Sequence, residues 1–365
     1  MYKPWHIKSK EIDEMLYRKA IDFMKRKKIP RRPLTKDIFN RLTYIGPEDI
    51  KVINWIRKTP VSVFNPGAVL MNKRILIFPR IIFGYYYYSS CIGVMELNID
   101  EVIEGNIGKP VPTKIVIYPT EPWEMALGCE DARVSIYDDT FYVLYTGVAH
   151  RPERLWRRPL AGVSGYIGLQ ALALMDLNYN VKSKQFFKIK RYDKIHIPDS
   201  WRDTAFVRIN SKSSLILTRP TVNDVSICWR AILDMNELAI EVDSLEPNLC
   251  HEEWEIKIGW STNVVKLSSN EYLVGWHGVS NIDGFYREGL AIVDDQGELL
   301  AITPHYILSP KGLDEVYGDR PGVIFGNGLI AYKDILLWIG GISDHAIGIF
   351  STSLDKALES LTWLR

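Results

Sequence analysis

The chain has 365 residues and a formal net charge of +1, and 47% of its residues are hydrophobic. A nearly neutral chain has no overall field to attract nucleic acid or a membrane surface, and this composition is that of a globular protein. The four cysteines form no CxxC pair and no apolar run reaches membrane-spanning length, so we expect free thiols and a cytoplasmic protein.

The first predicted element is an amphipathic helix over residues 9–28. Ile12, Leu16 and Ala20 belong to an apolar stripe at helical spacing. Because such a stripe must be buried, we expect the helix to pack on the side of the main domain or on a second subunit, which would make the protein a homo-oligomer. The basic residues 25–28 complement the helix dipole, and the sequence favours this interpretation over an RNA-binding arm.

From residue 61 onward, the chain repeats a pattern of strand, polar turn and strand, and its 12% aromatic content favours β structure. Five repeats begin at Phe64, Cys129, Trp201, Trp260 and Pro321, and their second strands end near Arg80, Thr146, Arg219, His277 and Gly340. These ends are 66, 73, 58 and 63 residues apart. A regular β repeat of this length predicts an all-β fold, a five-bladed β-propeller with an N-terminal helix. Two β-sandwiches are the alternative, and they would not explain the repeat.

The predicted division of the chain has three parts. Residues 1–60 form an N-terminal helical extension and lead-in, residues 61–352 form the propeller, and residues 353–365 form a C-terminal helical tail. Further strands are predicted over 168–175 and 289–293, between the repeats.

Inner strands of a propeller converge on a central channel, so equivalent residues of different repeats should meet there. These positions are Asn65, Asp131, Asp203, Thr262 and the segment around Arg320. Glu130 and Asp131 stand beside Arg133 at the start of a predicted strand, which is a group suited to binding or cleaving a sugar. Because successive side chains on a strand point to opposite sides, we expect only one of the two acids to face the channel.

Several motifs recur in the order and spacing of one known family. They are Phe64-Asn65-Pro66-Gly67-Ala68, Glu130-Asp131-Ala132-Arg133, Tyr145-Thr146-Gly147, Arg219-Pro220, Lys257-Ile258-Gly259, Trp276-His277-Gly278-Val279, Tyr286 with Gly289, and Gly341-Ile342-Ser343-Asp344. By these motifs, the chain resembles the mannoside phosphorylases and β-mannosidases of glycoside hydrolase family 130, which are five-bladed propellers.

The resemblance implies an inverting attack on a short β-mannoside. In the phosphorylases of the family, inorganic phosphate attacks the anomeric carbon and yields α-mannose 1-phosphate, while one aspartate acts as the general acid. By motif position that acid is Asp131, which in some members passes its proton through a sugar hydroxyl. Phosphate is then a co-substrate and no cofactor is implied. The seven histidines show no metal-ligand spacing, so no metal site is predicted.

The resemblance also implies which residues bind the two substrates. Those for the sugar are Asn65, Arg80, Glu130, Arg133, Asp203, His277 and Asp344. Those for phosphate are Arg151, Arg202 and Arg219, the first of them in an arginine-rich loop that continues to Arg158. Thr218 and Cys91 depart from the family pattern, which has histidine and arginine there. We therefore expect an anion site that is altered from the family's.

Two other functions remain open at this stage. A phosphate-independent β-mannosidase would need a second carboxylate to activate water, for which Glu252, Glu253, Glu255 or Asp203 are candidates. A non-catalytic carbohydrate-binding propeller would have no use for Asp131. The tyrosine run 85–88 can stack sugar rings at an acceptor subsite or pack against a partner subunit.

Overall fold

The protein was analysed as a computed structural model that describes residues 4–26, 29, 31–151 and 165–364. Strands hold 53% of its residues and helices 13%, which confirms the all-β class. The strands, in chain order, are β1 (Asn40–Ile45), β2 (Ile50–Val52), β3 (Ser62–Met71), β4 (Arg74–Ile82), β5 (Ser90–Asn98), β6 (Val111–Ile117), β7 (Gly128–Tyr137), β8 (Thr140–His150), β9 (Tyr166–Asp176), β10 (Val181–Phe186), β11 (Lys188–Arg191), β12 (Lys194–His196), β13 (Trp201–Arg208), β14 (Ser213–Val222), β15 (Val225–Ser226), β16 (Cys228–Asp234), β17 (Ala239–Glu241), β18 (Glu246–Leu249), β19 (Glu255–Trp260), β20 (Val265–Lys266), β21 (Tyr272–Ser280), β22 (Tyr286–Val293), β23 (Leu299–Ile302), β24 (Ile324–Tyr332), β25 (Ile335–Ile342), β26 (Ala346–Ser353) and β27 (Thr362–Trp363).

Helices are few and mostly short. The α-helices of the described residues are α1 (Lys10–Arg26), α2 (Ile99–Ile103), α3 (Gly312–Val316) and α4 (Leu354–Glu359). Short 3-10 helices occupy Pro4–His6, Pro47–Asp49, Pro122–Glu124 and Val242–Ser244. A search of these described helices finds none with the length and apolar character needed to cross a membrane.

The strands form three sheets whose neighbours are mostly antiparallel. The largest sheet has the order β1-β26-β25-β24-β3-β4-β5-β7-β8-β9-β10, with β6 beside β5 and β2 beside β6. The second has the order β12-β11-β17-β16-β14-β13, and the third β19-β21-β22-β23-β27. All five predicted repeats are antiparallel hairpins, formed by β3–β4, β7–β8, β13–β14, β19–β21 and β24–β25. The strands predicted between the repeats lie in β9 and β22.

The fourth hairpin differs from the prediction, because its first strand begins five residues earlier. β19 starts at Glu255, so Thr262 lies beyond its end and is not a strand equivalent of Asp131. The Thr262 hydroxyl instead accepts a hydrogen bond from the backbone N–H of Gly275 at 2.8 Å. The buried carboxylate of Glu255 and the half-buried Lys257 interrupt the apolar alternation that marks a strand in sequence.

Helix α1 packs on the chain's own sheets. Ile12, Leu16 and Ala20 are fully buried, in a cluster that includes Phe187 of the β10–β11 connection and Trp229 of β16. The apolar stripe is therefore covered within one chain and does not require a second subunit.

Replacing Leu16 by alanine should lower the free energy of unfolding by about 2–5 kcal/mol, because it removes buried methyl groups and leaves a cavity between the helix and the sheet. Urea unfolding followed by circular dichroism measures the change. Lys10→Ala is the matched control on the same helix, since its side chain is 91% exposed, and it should stay within about 0.5 kcal/mol. Equal effects of the two substitutions would contradict this packing.

Candidate active site

Three successive hairpins carry the same backbone irregularity on their first strands. Asn65, Asp131 and Asp203 have positive φ angles of 44°, 54° and 57°. Each lies where the pairing register shifts, as in a β-bulge that turns a side chain out of the regular alternation. Asparagine and aspartate tolerate this left-handed conformation better than other residues with a β-carbon. The bulges therefore place three short polar side chains at the same end of neighbouring strands.

Arg80 of β4 contacts two acids of β7, and one of these, Asp131, also contacts Asn65 of the first bulge. Its Nη2 donates to Glu130 Oε1 at 2.8 Å, and its Nη1 donates to Asp131 Oδ1 at 3.3 Å. Asn65 Nδ2 donates to the same Asp131 oxygen at 3.0 Å, and Arg80 Nε donates to Ser90 Oγ at 2.8 Å. Both acids thus face Arg80. A regular strand would turn them to opposite sides, but the bulge at Asp131 interrupts the alternation; that only one of them faces the channel stays a prediction.

The two acids differ in how many of their carboxylate oxygens accept hydrogen bonds from the protein. Both oxygens of Glu130 accept from arginines, Oε1 from Arg80 and Oε2 from Arg202 Nη1 at 2.7 Å. Asp131 Oδ1 accepts from Arg80 and Asn65, whereas its Oδ2 accepts no hydrogen bond from the residues that the structure describes. The side chain of Asp131 is 12% exposed. One of its oxygens can therefore reach a ligand, and Glu130 serves to hold the two arginines.

A second ionic group surrounds Asp203. Arg219 Nε donates to its Oδ2 at 2.5 Å, and Arg133 Nη2 donates to its Oδ1 at 3.0 Å. Burial raises the pKa of Asp203, but the two guanidinium charges outweigh that effect and lower the pKa well below its usual range. Arg133 also donates to the backbone carbonyls of Ser261 at 2.8 Å and Asp131 at 3.1 Å. All three nitrogens of Arg133 are thus bound within the chain.

His277 lies next to Asp203 and is fully buried. Its Nδ1 lies 3.0 Å from Ser261 Oγ, and its Nε2 lies 3.8 Å from Asp203 Oδ2. Its ring stacks on that of Tyr286 with centroids 5.7 Å apart. Burial lowers the pKa of His277 well below its ordinary value, so this histidine is neutral.

A cation cluster, formed by Arg219, Lys257 and Arg320, lies around the hydroxyl of Tyr286. Lys257 Nζ and Arg320 Nη2 both donate to that hydroxyl at 3.2 Å. Neither Lys257 nor Arg320 forms an ion pair with a carboxylate of the described chain. Burial, and the nearby charge of Arg219, lower the pKa of Lys257. For Tyr286, burial raises the pKa, but the charges of Lys257 and Arg320 outweigh it, so that the pKa is lowered. The surplus of positive charge suits this cluster to an anion.

Asp344 interacts electrostatically with Arg80 and Asp131 on one side and with Arg320 of the cation cluster on the other. It follows β25 in a turn, with a φ of 51°, and it is partly buried. Burial raises its pKa to about 6, and Asp131 adds to this effect, while Arg80 and Arg320 oppose it. Beside it, Gly341 approaches so closely that an added β-carbon would lie 2.1 Å from Asn65 Oδ1. This turn therefore adds an acid that interacts electrostatically with Arg80, Asp131 and Arg320.

The tyrosine run stands at the rim of the same site. The ring of Tyr88 lies 5.5 Å from the Arg80 guanidinium, and Tyr85 donates its hydroxyl to Asp319 at 2.8 Å. The rings of Tyr85 and Tyr88 stack with centroids 6.2 Å apart, and Tyr85, Tyr86 and Tyr87 are exposed. Two of the four tyrosines thus border the charged site.

Other candidate residues lie elsewhere. Arg151 donates to the carbonyl of Tyr166 at 3.3 Å and lies 3.7 Å from Asp199, with no contact to the cation cluster among the described residues. The rest of its arginine loop, from residue 152 to Arg158, lies outside the described part of the chain. Glu255 accepts from Arg31 at 2.6 Å and from Tyr306 at 2.7 Å.

In the sequence, Lys257 and Tyr286 are recognisable only as motif residues, and Arg320 only as a channel position. A role in anion binding is not predictable for them, because lysine and tyrosine carry no anion signal until their neighbours are known. Their positions in the family's motifs were the available signal. Within the described residues, no group of three or more histidines, cysteines or acids is placed to hold a metal ion.

Comparison with known proteins gives a consistent result. A family model described as beta-1,4-mannooligosaccharide phosphorylase matches residues 29–362. A β-1,2-mannobiose phosphorylase from Thermoanaerobacter sp. (strain X514) is 24% identical over 273 residues, 74% of this chain and 80% of that protein. The structure of β-1,2-mannobiose phosphorylase from Listeria innocua in complex with β-1,2-mannobiose matches with a TM-score of 0.66 and 17% identity, covering 88% of this chain and 98% of that one. A structure from the GH130 family, described with glycoside hydrolases that target β-1,2 mannosidic linkages in Candida mannan, matches with a TM-score of 0.64 and 14% identity, covering 89% and 97%.

Replacing Asp344 by asparagine should change how stability depends on pH. Because the pKa of Asp344 is raised, its ionisation destabilises the folded state as the pH rises from its ordinary pKa of 3.8 through about 6. The variant lacks this loss, so its free energy of unfolding relative to the native protein should increase between pH 4.5 and pH 7, by at most roughly 3 kcal/mol.

Urea unfolding at the two pH values measures this difference. Asp138→Asn is the control, since Asp138 is an exposed carboxylate in a turn and also has a positive φ, of 49°. A difference between Asp344→Asn and the native protein that is the same at both pH values would contradict the prediction.

Proposed function

Because the chain belongs to glycoside hydrolase family 130, we propose that it cleaves short β-mannosides by phosphorolysis, with inversion, to α-mannose 1-phosphate. One observation carries this proposal. Asp131 has a carboxylate oxygen that accepts no hydrogen bond from the described residues. Asp344 interacts electrostatically both with Asp131 and with Arg320 of the cation cluster. In that cluster, Lys257 and Arg320 form no ion pair with a described carboxylate. Asp131 can donate a proton to a leaving sugar, and the cation cluster can hold the attacking phosphate.

In this proposal Asp131 is the general acid. An oxygen of hydrogen phosphate attacks the anomeric carbon, the bond from that carbon to the glycosidic oxygen breaks, and Asp131 protonates that oxygen, directly or through a sugar hydroxyl. The proton that hydrogen phosphate carried replaces the one Asp131 gave, so the reaction balances without a further acid. Asn65 orients the acid, because its Nδ2 donates to the other oxygen of Asp131 at 3.0 Å while its own Oδ1 is buried against Gly341.

Phosphate is assigned to Arg219, Lys257, Arg320 and the Tyr286 hydroxyl. Arginine binds phosphate oxygens in a bidentate manner, and lysine adds a compact charge. Of the three arginines predicted to bind phosphate, Arg219 belongs to this cluster and pairs with Asp203 through its Nε, while Arg202 pairs with Glu130 beside Arg80. We assign Arg80, Arg202 and Glu130 to the sugar side, where they orient Asp131, and we assign Arg133, Asp203 and His277 to positioning.

Hydrolysis is the second candidate function, and Asp344 is the observation that favours it. An inverting hydrolase needs a carboxylate to activate water, roughly 6.5–9.5 Å from the acid. Asp344 interacts electrostatically with Asp131, and its pKa of about 6 suits a base. Asp203 is a poor base because two arginines hold it ionised, and Glu255 is bound to Arg31. The cation cluster favours phosphorolysis over this alternative.

We further propose that the hairpins belong to five blades of a propeller over residues 61–352, preceded by the extension 1–60 and followed by the tail 353–365. The four-stranded runs β3 to β6 and β7 to β10 support this architecture, and β1 of the extension adds a fourth strand to β24–β26. A cytoplasmic location, and the use of phosphate without any cofactor, belong to the same proposal. Oligomerisation stays a prediction without support from α1, whose apolar stripe is covered.

Phosphate should be required for cleavage. With β-1,2- or β-1,4-mannobiose, we expect mannose 1-phosphate to form only when phosphate is present. Lys257→Met should raise the KM for phosphate at least about tenfold, the factor that corresponds to loss of one charged contact, and change the KM for the mannoside much less. Lys266→Met, an exposed lysine next to the same hairpin, is the control. Cleavage of mannobiose to two molecules of mannose in both conditions, with no mannose 1-phosphate, would establish the hydrolase instead.

Asp131→Asn should lower activity by about 10²–10⁴-fold with little change in melting temperature, because it removes proton donation to the leaving sugar. A β-mannosyl fluoride needs no such proton, so the variant should recover much of its rate on it. Glu130→Gln is the matched variant. It should lose activity together with stability, because it breaks contacts with Arg80 and Arg202, and it should gain nothing from the fluoride. Recovery by Glu130→Gln alone would reverse the assignment.

A further inference from the structure

A groove of about 460 Å³ lies beside the charged site, between β5, β6 and the loop that follows β2. Its aromatic residues are Trp55, Phe83 and Tyr118, and the rings of Trp55 and Phe83 have centroids 6.5 Å apart. Trp55 is 50% exposed and Tyr118 is 55% exposed. Exposed aromatic rings around a concave surface mark a binding site rather than a packing defect.

The groove borders the charged site. Ser90 lines the groove, and its hydroxyl accepts from Arg80 Nε at 2.8 Å, the same guanidinium that contacts Asp131. Tyr88 covers Arg80 from the rim and leads through Ser89 into the groove. A molecule that extends outward from Asp131 past Tyr88 would therefore enter it.

Strand register gives the distance. Arg80 of β4 pairs with Ile92 of β5, and Ile92 pairs with Ile117 of β6, directly before Tyr118. Two strand spacings amount to about 10 Å, which is about the length of a disaccharide. Tyr118, on the far side of the groove, thus lies about the length of a disaccharide from Arg80, within reach of sugars beyond the two at the cleaved bond.

The aromatic surface is fixed in place before any ligand binds. Asn54 donates to the Ile115 carbonyl at 2.9 Å and accepts from its N–H at 2.8 Å. The N–H of Val52 donates to the Lys58 carbonyl at 2.8 Å, which closes the loop that carries Trp55. Because the loop is already ordered, little conformational entropy is lost when a ligand covers the ring.

We propose that this groove is a distal subsite for a β-mannooligosaccharide, in which Trp55 and Tyr118 stack against the sugars beyond the leaving one. The proposal rests on the proposed function, and it assigns the enzyme to chains longer than the disaccharide. Sugar rings present apolar C–H faces together with hydroxyls, which matches aromatic faces next to Ser89. The charged residues act on the sugars and phosphate at the cleaved bond. The groove therefore affects only the enzyme's preference for longer or shorter substrates.

The test compares kcat/KM for β-mannobiose and β-mannotetraose, of the linkage that is cleaved, at saturating phosphate. Trp55→Ala should lose about tenfold on mannotetraose through KM, and stay within about twofold of the native enzyme on mannobiose. Trp55→Phe should retain most of the activity on mannotetraose, which separates stacking from a folding defect. Trp363→Ala, at a tryptophan that is 54% exposed on β27, is the control and should change neither substrate.

Equal losses on both substrates, or an unchanged KM for mannotetraose, would overturn the proposal. Light scattering on the same variants detects the other occupant, a second copy of the chain: if Trp55→Ala dissociates an oligomer and leaves mannotetraose unaffected, the groove is a subunit interface. If the native enzyme releases no mannose 1-phosphate from either sugar, the proposed function fails separately. Calorimetric binding of mannotetraose to native protein and Trp55→Ala then still decides whether the groove binds sugar.

Discussion

Arg133 is buried near the start of β7, and its three nitrogens contact three neighbouring hairpins. It donates to Asp203 on β13, to the carbonyl of Ser261 just after β19, and to the carbonyl of Asp131 on its own strand. Removing one partner of a buried ion pair costs about 3–5 kcal/mol, because the other charge is left without compensation. The relative positions of these hairpins, and with them the distance from Asp131 to the cation cluster, depend on this one guanidinium.

The positive-φ bulges are the second constraint. A regular strand would turn Glu130 and Asp131 to opposite faces, and Arg80 could then contact only one of them. The bulge brings both to the same arginine, where Glu130 holds Arg80 and Arg202 and thereby leaves Asp131 Oδ2 accessible. Left-handed backbone at a residue other than glycine costs of order 1–3 kcal/mol, and such strain persists where surrounding contacts determine the conformation. Here those contacts are the arginines themselves.

Much of the fold was predictable from the sequence, because strand periodicity and polar turns mark each hairpin locally. The hairpins β3–β4 and β7–β8 follow from such patterns, and α1 follows from its apolar stripe. The early start of β19 was not predictable, since Glu255 and Lys257 carry charge into the interior where a strand normally alternates apolar residues. The shared orientation of Glu130 and Asp131 was also missed, because a bulge leaves no periodic signal. The motifs brought Arg80, Asp131 and Asp203 into one site, but they could not tell which charges neutralise each other.

That division of charges is what separates residues that hold the site from residues that can react. Asp203 is ionised between two arginines, and both oxygens of Glu130 are occupied, so neither is free to exchange a proton with a substrate. Asp131 retains an open oxygen, and Lys257 and Arg320 form no ion pair with a carboxylate of the described residues. A site that needed two protein carboxylates for water would gain nothing from these two cations, since water is neutral. A site that recruits an anionic nucleophile needs only one acid and a surplus of positive charge, and this is the balance that the buried ionic groups leave.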